Sequence, residues 1–509
     1  MKKLTDKNKV VLLVILITVL QIALRFYVGT SKSYFHMDEM YSYGLMNYDK
    51  LNITDNADFL NNWHDKEYYL DYLEVNDDEV WNLKPVYENQ KNDCHPPLYY
   101  FLLRIASTFS INHFSKWTGI ILNIIIFAIS SVFVYKISRI IFRNPLYSIL
   151  MCFINGFSFV SINSSMYIRM YELCNMLILG TTYFHMKIWR AKELTLKSLL
   201  PVGIFLILGG LTHYYFFIYA FALYALYVFK CIKHKKYKNL LRYNLAIILS
   251  AAIYLLIFPY SIEHVFFGYR GIQNGSDATF IDKAKTYLSI INKDFFNYIL
   301  ILVFIVITIL CCKKRKTKIK LNSYIYMFIV PIILYLIMVI KNSPYTEIRY
   351  IIPIYSVTLI LVFYLIKKYF LEHIKNKETL FLLILMFLIV LYSPLIFNTQ
   401  IEFTYSQYDS IVQKIENEDL PIVYVFNPGQ NRFLDDLYLF TLVDKSIVID
   451  SNNQEKIDEI FSSEQTFILI CNGSVDEDYI KNTYTGDYEY LQRMNACNIY
   501  KVSLDTVKE

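Results

Sequence analysis

The chain has 509 residues, of which 55% are apolar and only 18% charged, against about 25% charged in soluble domains. With a positive mean hydropathy, most of it requires lipid as its solvent, and 14 Gly, 12 Pro and 8 Cys over the whole length exclude collagen-like, disordered and disulfide-scaffold classes. The net charge of +6 comes from Lys and Arg lying between apolar segments, a pattern of membrane topology and not of a nucleic-acid surface. In chain order, eleven spanning helices are predicted from stretches near the ~20 apolar residues that a bilayer demands. They fall at about 10–28, 117–136, 146–163, 168–187, 198–211, 212–230, 242–261, 297–312, 321–340, 350–366 and 379–397. The run from Leu199 to Phe229 is divided at Gly209, Gly210 and Thr212 because it is too long for one span.

The charges test that division. With the amino terminus inside, Lys2 to Lys9, Lys136 to Arg143, Lys187 to Lys197, Lys230 to Arg242, Lys313 to Lys320 and Lys367 to Lys377 all become cytoplasmic, provided the 199–229 run crosses twice. An odd number of spans then puts the carboxyl-terminal segment outside. The first apolar stretch is longer than a signal-peptide core and no clean cleavage pattern follows it.

This partitions a polytopic α-helical membrane protein into a transmembrane domain over 1–397, with long outer loops at 30–116 and 261–297, and an extracytoplasmic α/β domain over 398–509. In that tail, β-rich runs at Ile422 to Phe426, Ser446 to Asp450, Thr466 to Cys471 and Ala496 to Val502 alternate with polar helical stretches such as Glu455 to Phe461. Cys471 and Cys497 share the tail and offer a disulfide there, while no CxxC or Cys/His spacing marks a metal cluster.

Chemistry-bearing residues concentrate on the outer side. Asp38-Glu39 follows the first helix; such a pair reads either as a general base with a metal or hydroxyl ligand, or as acids favoured by a helix amino terminus. Asp93-Cys94-His95-Pro96-Pro97-Leu98 closes the same loop, and its two prolines open an apolar run suited to the interface. Arg169, with Tyr171 and Glu172 beside it, His213 after Thr212, and Arg349-Tyr350 after Glu347 place costly charges at outer helix ends. A polar cavity explains them, and so do snorkelling or local ion pairs. Arg25 reads more simply as a helix-end snorkeller.

Taken in order, Asp38-Glu39, His95-Pro96-Pro97-Leu98-Tyr99, Arg169-x-Tyr171, Thr212-His213-Tyr214 and Arg349-Tyr350-x-x-Pro353 resemble the membrane glycosyltransferases of the C-type fold. Among these the chain resembles the family of protein O-mannosyltransferases and lipid A aminoarabinose transferases, over about residues 10–360. The Asp93 to Leu98 box resembles that of the protein mannosyltransferases, with Tyr100 where a Lys often stands. The tail resembles nothing of known acceptor specificity.

The resemblance implies an integral protein of a bacterial plasma membrane that takes a polyprenyl-phosphate-linked sugar from the outer leaflet and transfers it, with inversion, to an extracytoplasmic acceptor. It implies Asp38 and Glu39 as the catalytic carboxylates, and Arg169, Arg349, Tyr171, Tyr350 and His213 as the binding set for the donor phosphate. Asp93 and His95 would hold a divalent metal ion or the phosphate itself, so the cofactor stays open, and no nucleic acid is involved. The competing class, a transporter or flippase of lipid-linked sugars, predicts two similar halves, and the sequence shows none. Within the enzyme class, transfer of whole oligosaccharides or polymer ligation is the alternative.

Overall fold

The computed structural model describes residues 6–267, 279–296, 323–369 and 401–505, apart from positions 428, 430, 431, 473, 474 and 476. The predicted helices at 297–312 and 379–397, and the basic residues at 313–320, 375 and 377, lie outside the described residues. The chain divides into two compact units.

The first unit comprises Met1–Val28, Cys94–Tyr99 and Ile120–Ile401. Among the described residues, five helices are long and apolar enough to cross a membrane: Asn8–Thr30, Lys116–Phe142, Tyr215–Lys233, Tyr237–Ile257 and Ser323–Asn342. Apolar side chains exposed along them, such as Leu12, Ile125 and Leu256, are what a lipid solvent permits. The break in the 199–229 run is real: four residues separate the end of Leu196–Gly210 from the start of Tyr215–Lys233. Glycine is needed there because a Cβ on Gly209 would come within 2.2 Å of the Phe216 ring and one on Gly210 within 2.4 Å of Phe217. The stretch read as one helix at 146–163 is two, Pro145–Phe157 and Phe159–Met166, bent by 50°. Ser158 makes the bend, since its hydroxyl donates to the carbonyl of Asn155 and accepts from the N–H of Ser161 as the cap of the second piece.

Two helices also start later than their apolar patterns suggest. Tyr171–Arg190 leaves Tyr167–Met170 as a tight linker, and Tyr355–Tyr369 follows short 3₁₀ turns at Ile348–Tyr350 and Ile352–Ile354. Pro353 stands in the first turn of the second of these 3₁₀ pieces, a position where its missing N–H is tolerated. Arg169 lies in the linker and Arg349 in the first of these 3₁₀ turns, each ahead of its α-helix, and both are buried.

The second unit comprises Gly29–Asp93, Tyr100–Gly119 and Glu402–Glu509. Its sheet has six strands: β1 (Trp63–His64), β2 (Ile422–Phe426), β3 (Ser446–Asp450), β4 (Thr466–Asn472), β5 (Gly486–Met494) and β6 (Cys497–Leu504), in the order β1-β3-β2-β4-β6-β5. Strands β2, β3 and β4 are parallel, and the helices Phe433–Phe440 and Gln454–Ser463 connect them, as parallel pairing requires. One face is packed by Val423, Val425, Ile449, Leu469, Cys471 and Val502 against Ile457, Ile460 and Phe461.

Two strands escape the sequence pattern. β5 alternates weakly and carries Asp487, Glu489 and Arg493 because it is an edge. β1 comes from the segment between the first two long helices and pairs antiparallel with β3 through Trp63 opposite Ile447. Cys471 and Cys497 form no disulfide; both are free. Cys471 stands opposite Asn498 and Cys497 opposite Asn472, so the one-residue offset sends the two thiols to opposite faces of the sheet.

Candidate functional site

In the first unit the linker ahead of Tyr171–Arg190 is held open by side chains. Asn123 donates to the carbonyl of Tyr167 at 2.8 Å and accepts from the hydroxyl of Tyr99 at 3.2 Å, and the N–H of Arg169 closes back on the Tyr167 carbonyl at 2.8 Å. This turns Arg169 toward His95, whose Nε2 lies 3.5 Å from the guanidinium. Arg349 reaches the same linker from the other end of the unit: Nη1 donates to the Tyr167 hydroxyl at 3.1 Å, and Nε meets Glu347 at 2.6 Å. Both arginines are buried, at 3% and 8% exposure.

Aromatic rings complete the cluster. Tyr167 stacks on Tyr171 at 5.8 Å, Tyr171 meets the ring of His213 at 5.7 Å, and His213 meets Tyr215 at 5.2 Å. The Tyr350 ring faces the Arg349 guanidinium at 5.2 Å, while the Tyr350 carbonyl accepts from the Tyr335 hydroxyl at 3.0 Å. The approach to Arg349 is pinned by the Phe280–Ile290 helix, from which Lys283 donates to the Ser343 carbonyl at 2.8 Å and Tyr287 to that of Tyr345 at 3.2 Å. Thus His95, Arg169, Tyr171, His213, Arg349 and Tyr350, scattered over 256 positions (350 − 95 + 1) of sequence, are linked through Tyr167. Tyr167 was the residue without a sequence signal, one more tyrosine in an aromatic chain.

Arg25 departs from the snorkelling expectation. It is fully buried, with Nε on Ser165 at 2.9 Å, Nη2 on Ser161 at 2.7 Å, Nη1 on the Gly156 carbonyl at 2.9 Å, and its plane 3.4 Å above the Phe127 ring. The hydroxyls supplied by the bent pair of helices satisfy it, so it braces the wall behind the linker.

In the second unit, Asp38 and Glu39 open the Met37–Asn47 helix, and their settings differ. His36 caps it: Nδ1 accepts from the N–H of Asp38 at 3.0 Å, and Glu39 reaches back to the N–H of His36 at 2.8 Å, a reciprocal capping box. Glu39 is wholly buried, with both carboxylate oxygens 3.0 Å from Lys32 Nζ. Asp38 keeps 18% of its side chain exposed. The adjacent acids therefore do not form a pair of equivalent carboxylates, because successive residues on a helix point about 100° apart.

Around Asp38 the unit is acidic. Burial, with the charges of Asp93, Asp38, Asp55 and Asp435, pushes the Tyr41 phenol up to about 12. Burial likewise raises Asp435, against the pull of Arg432 3.0 Å away and helped by Asp38. Asp93 is the C-cap of Lys84–Asn92, its N–H bonded to the Asn89 carbonyl at 2.8 Å. Tyr41 and Asp435 had no sequence signal as members of this cluster, the latter because it lies 397 positions (435 − 38) beyond Asp38.

Asp93, Cys94 and His95 offer a carboxylate, a thiol and an imidazole from consecutive positions. Their ligand atoms lie within 4.8 Å of one another, with the Cys94 thiol 3.4 Å from Nδ1, so the triplet can hold a metal ion, while the Arg169 guanidinium beside Nε2 equally suits an anion there.

No protein-family model and no curated protein matches the chain. Solved structures match its fold. ArnT from Cupriavidus metallidurans in the apo state is similar over 95% of this chain and 97% of its own, with a TM-score of 0.51 at 10% identity. The oligosaccharyltransferase of Archaeoglobus fulgidus in complex with Zn and sulfate is similar over 97% of this chain and 73% of its own, with a TM-score of 0.51 at 12% identity. AglB of the same archaeon, in complex with an inhibitory peptide and a dolichol-phosphate, gives a TM-score of 0.51 over 99% of this chain and 75% of its own at 10% identity. ArnT and AglB are membrane glycosyltransferases of the C-type fold, and the chain has that fold.

Proposed function

We propose that the protein is an inverting membrane glycosyltransferase that moves a sugar from a polyprenyl-phosphate donor to an extracytoplasmic acceptor. The observation that carries this reading is the pair of buried arginines, Arg169 and Arg349, joined through Tyr167 with the half-buried His95 beside Arg169, since two guanidinium groups held out of water next to an imidazole are matched to a phosphate. The dolichol-phosphate in the AglB complex accords with such a ligand. The proposal also takes eleven spans with the amino terminus inside, and both the 30–116 loop and the α/β tail outside in a bacterial plasma membrane.

In the proposed reaction Asp38 takes the proton of an acceptor hydroxyl as its oxygen attacks the anomeric carbon. The bond from that carbon to the phosphate oxygen breaks on the opposite face, so configuration inverts. The departing phosphate keeps the electron pair, and its growing charge is met by Arg169 and Arg349, with Tyr171, Tyr350 and His213 shaping the cavity. A phosphate leaves without protonation, so one carboxylate suffices, and Asp93 and His95 would hold either a divalent metal ion or the phosphate itself. Incubating purified protein with radiolabelled polyprenyl-phosphate sugars and a panel of acceptors tests this. Transfer of single sugars is expected; transport of the intact donor without product would refute it, and product formed only from oligosaccharide donors would move the chain to the oligosaccharide-transferring alternative.

A further inference from the structure

Glu39 stands beside the proposed base, yet its own carboxylate is enclosed. Lys32 Nζ makes three contacts, to both oxygens of Glu39 at 3.0 Å and to the carbonyl of Phe403 at 2.7 Å, which matches the three protons of an ammonium. The rings of Phe35 and Tyr405 lie 5.1 Å and 5.4 Å from the same nitrogen. The next residue repeats the grip, the N–H of Ser33 donating to the Thr404 carbonyl at 2.9 Å. Two successive residues before the acidic turn are thereby fastened to two successive residues at the start of the tail.

We propose that Lys32 and Glu39 are positioning residues that fix the direction of the Asp38 carboxylate by tying its helix start to the 403–404 segment. The proposal rests on the reading of Asp38 as base. Its argument is the order of the contacts. Glu39 holds the N–H of His36, His36 holds the N–H of Asp38, and Lys32 holds Glu39, so each group that orients the first turn is itself held. A buried ion pair is roughly neutral for stability when compared with an apolar pair of the same shape; its gain here is one defined geometry at the turn.

The test uses the full-length protein with Lys32→Met/Glu39→Gln, which removes both charges, preserves volume and leaves an acceptor for the His36 N–H. Turnover per folded molecule is expected to fall ~10- to 100-fold, the range that a slight misplacement of a reacting group produces, with the donor KM unchanged. Glu39→Asp is the second variant: it keeps both charges and draws the carboxylate back by one methylene, so it folds even where the double variant does not, and a fall of about tenfold in kcat is expected. A merely structural role predicts activity lost only in proportion to folded protein, and normal kcat per folded molecule in either variant overturns the proposal. Asp38→Asn run alongside separates the two ideas. If it turns over normally, the reading of Asp38 fails and takes the positioning role with it; if it is inactive while both other variants are normal, only the positioning role falls.

Discussion

Arg349 donates to the hydroxyl of Tyr167 at 3.1 Å across 182 residues of sequence, and the carbonyl of the same tyrosine accepts from the N–H of Arg169. One tyrosine thus carries both arginines of the candidate donor site. Tyr167→Phe removes the hydroxyl alone. A hydrogen bond to a charged group contributes about 1.5–3 kcal/mol, so the donor KM is expected to rise roughly tenfold or more while the protein remains folded, as read from donor saturation curves and thermal melts.

Replacing the arginines asks a different question. Lys keeps the charge and loses the planar fork that meets phosphate at two oxygens. Arg349→Lys is expected to weaken donor use substantially and Arg349→Ala to nearly abolish it, with Arg169 in the same order. Because the charge grows on the leaving oxygen, kcat should fall as well as donor affinity. Normal donor kinetics in the Lys variants, with a loss of thermal stability only, would assign both arginines to structure, with Glu347 as the partner of Arg349.

Asp38→Asn keeps the shape of the side chain and cannot accept a proton. Turnover should drop ~10²–10⁴-fold, the usual cost of losing a general base, with folding and membrane insertion intact. Single-turnover measurement on purified protein decides it, and near-normal rates would remove Asp38 from the reaction.

Asp436 gives a pH signature of stability. It is buried, accepts from Asn495 Nδ2 at 3.0 Å, and burial pushes its carboxyl up to about 7 from an ordinary 3.8. The folded state therefore binds a proton that the unfolded chain has released. The stability this contributes is fully present below about pH 4 and is lost as pH rises through about 7. Asp436→Asn should flatten that part of the melting profile, and an unchanged slope between pH 4 and 7 would contradict the assignment.

Topology is tested by labelling single cysteines with an impermeant reagent on intact cells. Sites at 313–320 should be protected, while sites at 95 and in the 402–505 segment should label; the reverse at either would break the proposed orientation.

Much of this was legible in sequence where the physics is local. Apolar length located the five helices long enough to cross a membrane among the described residues, Gly209 and Gly210 located the break between two helices, and short β-rich runs located β2, β3, β4 and β6. The Asp-x-His box before Pro96-Pro97 picked out His95, and charges at the ends of apolar helices picked out Arg169, His213 and Arg349. What escaped depends on partners remote in the chain. Arg25 looked like a snorkeller because nothing near it in sequence announces Ser161 and Ser165; β1 is two residues long and acquires its conformation from β3; and Asp38-Glu39 looked like a matched pair because adjacency says nothing about which carboxylate a lysine will enclose.

β1 has a consequence for how the molecule is made. The ribosome delivers Trp63 and His64 some 380 residues (447 − 63 = 384 for the Trp63 pair) before the strand that they border, and Lys32 emerges long before Phe403. During synthesis the acidic segment therefore waits with its edge strand unpaired and the carbonyl partner of its lysine missing. The unit that holds Asp38 closes only after residues 402–505 have been made. Assembly order alone thus withholds the finished setting of Asp38 from the nascent chain, and a chain interrupted before residue 402 would lack the partners of both Lys32 and β1.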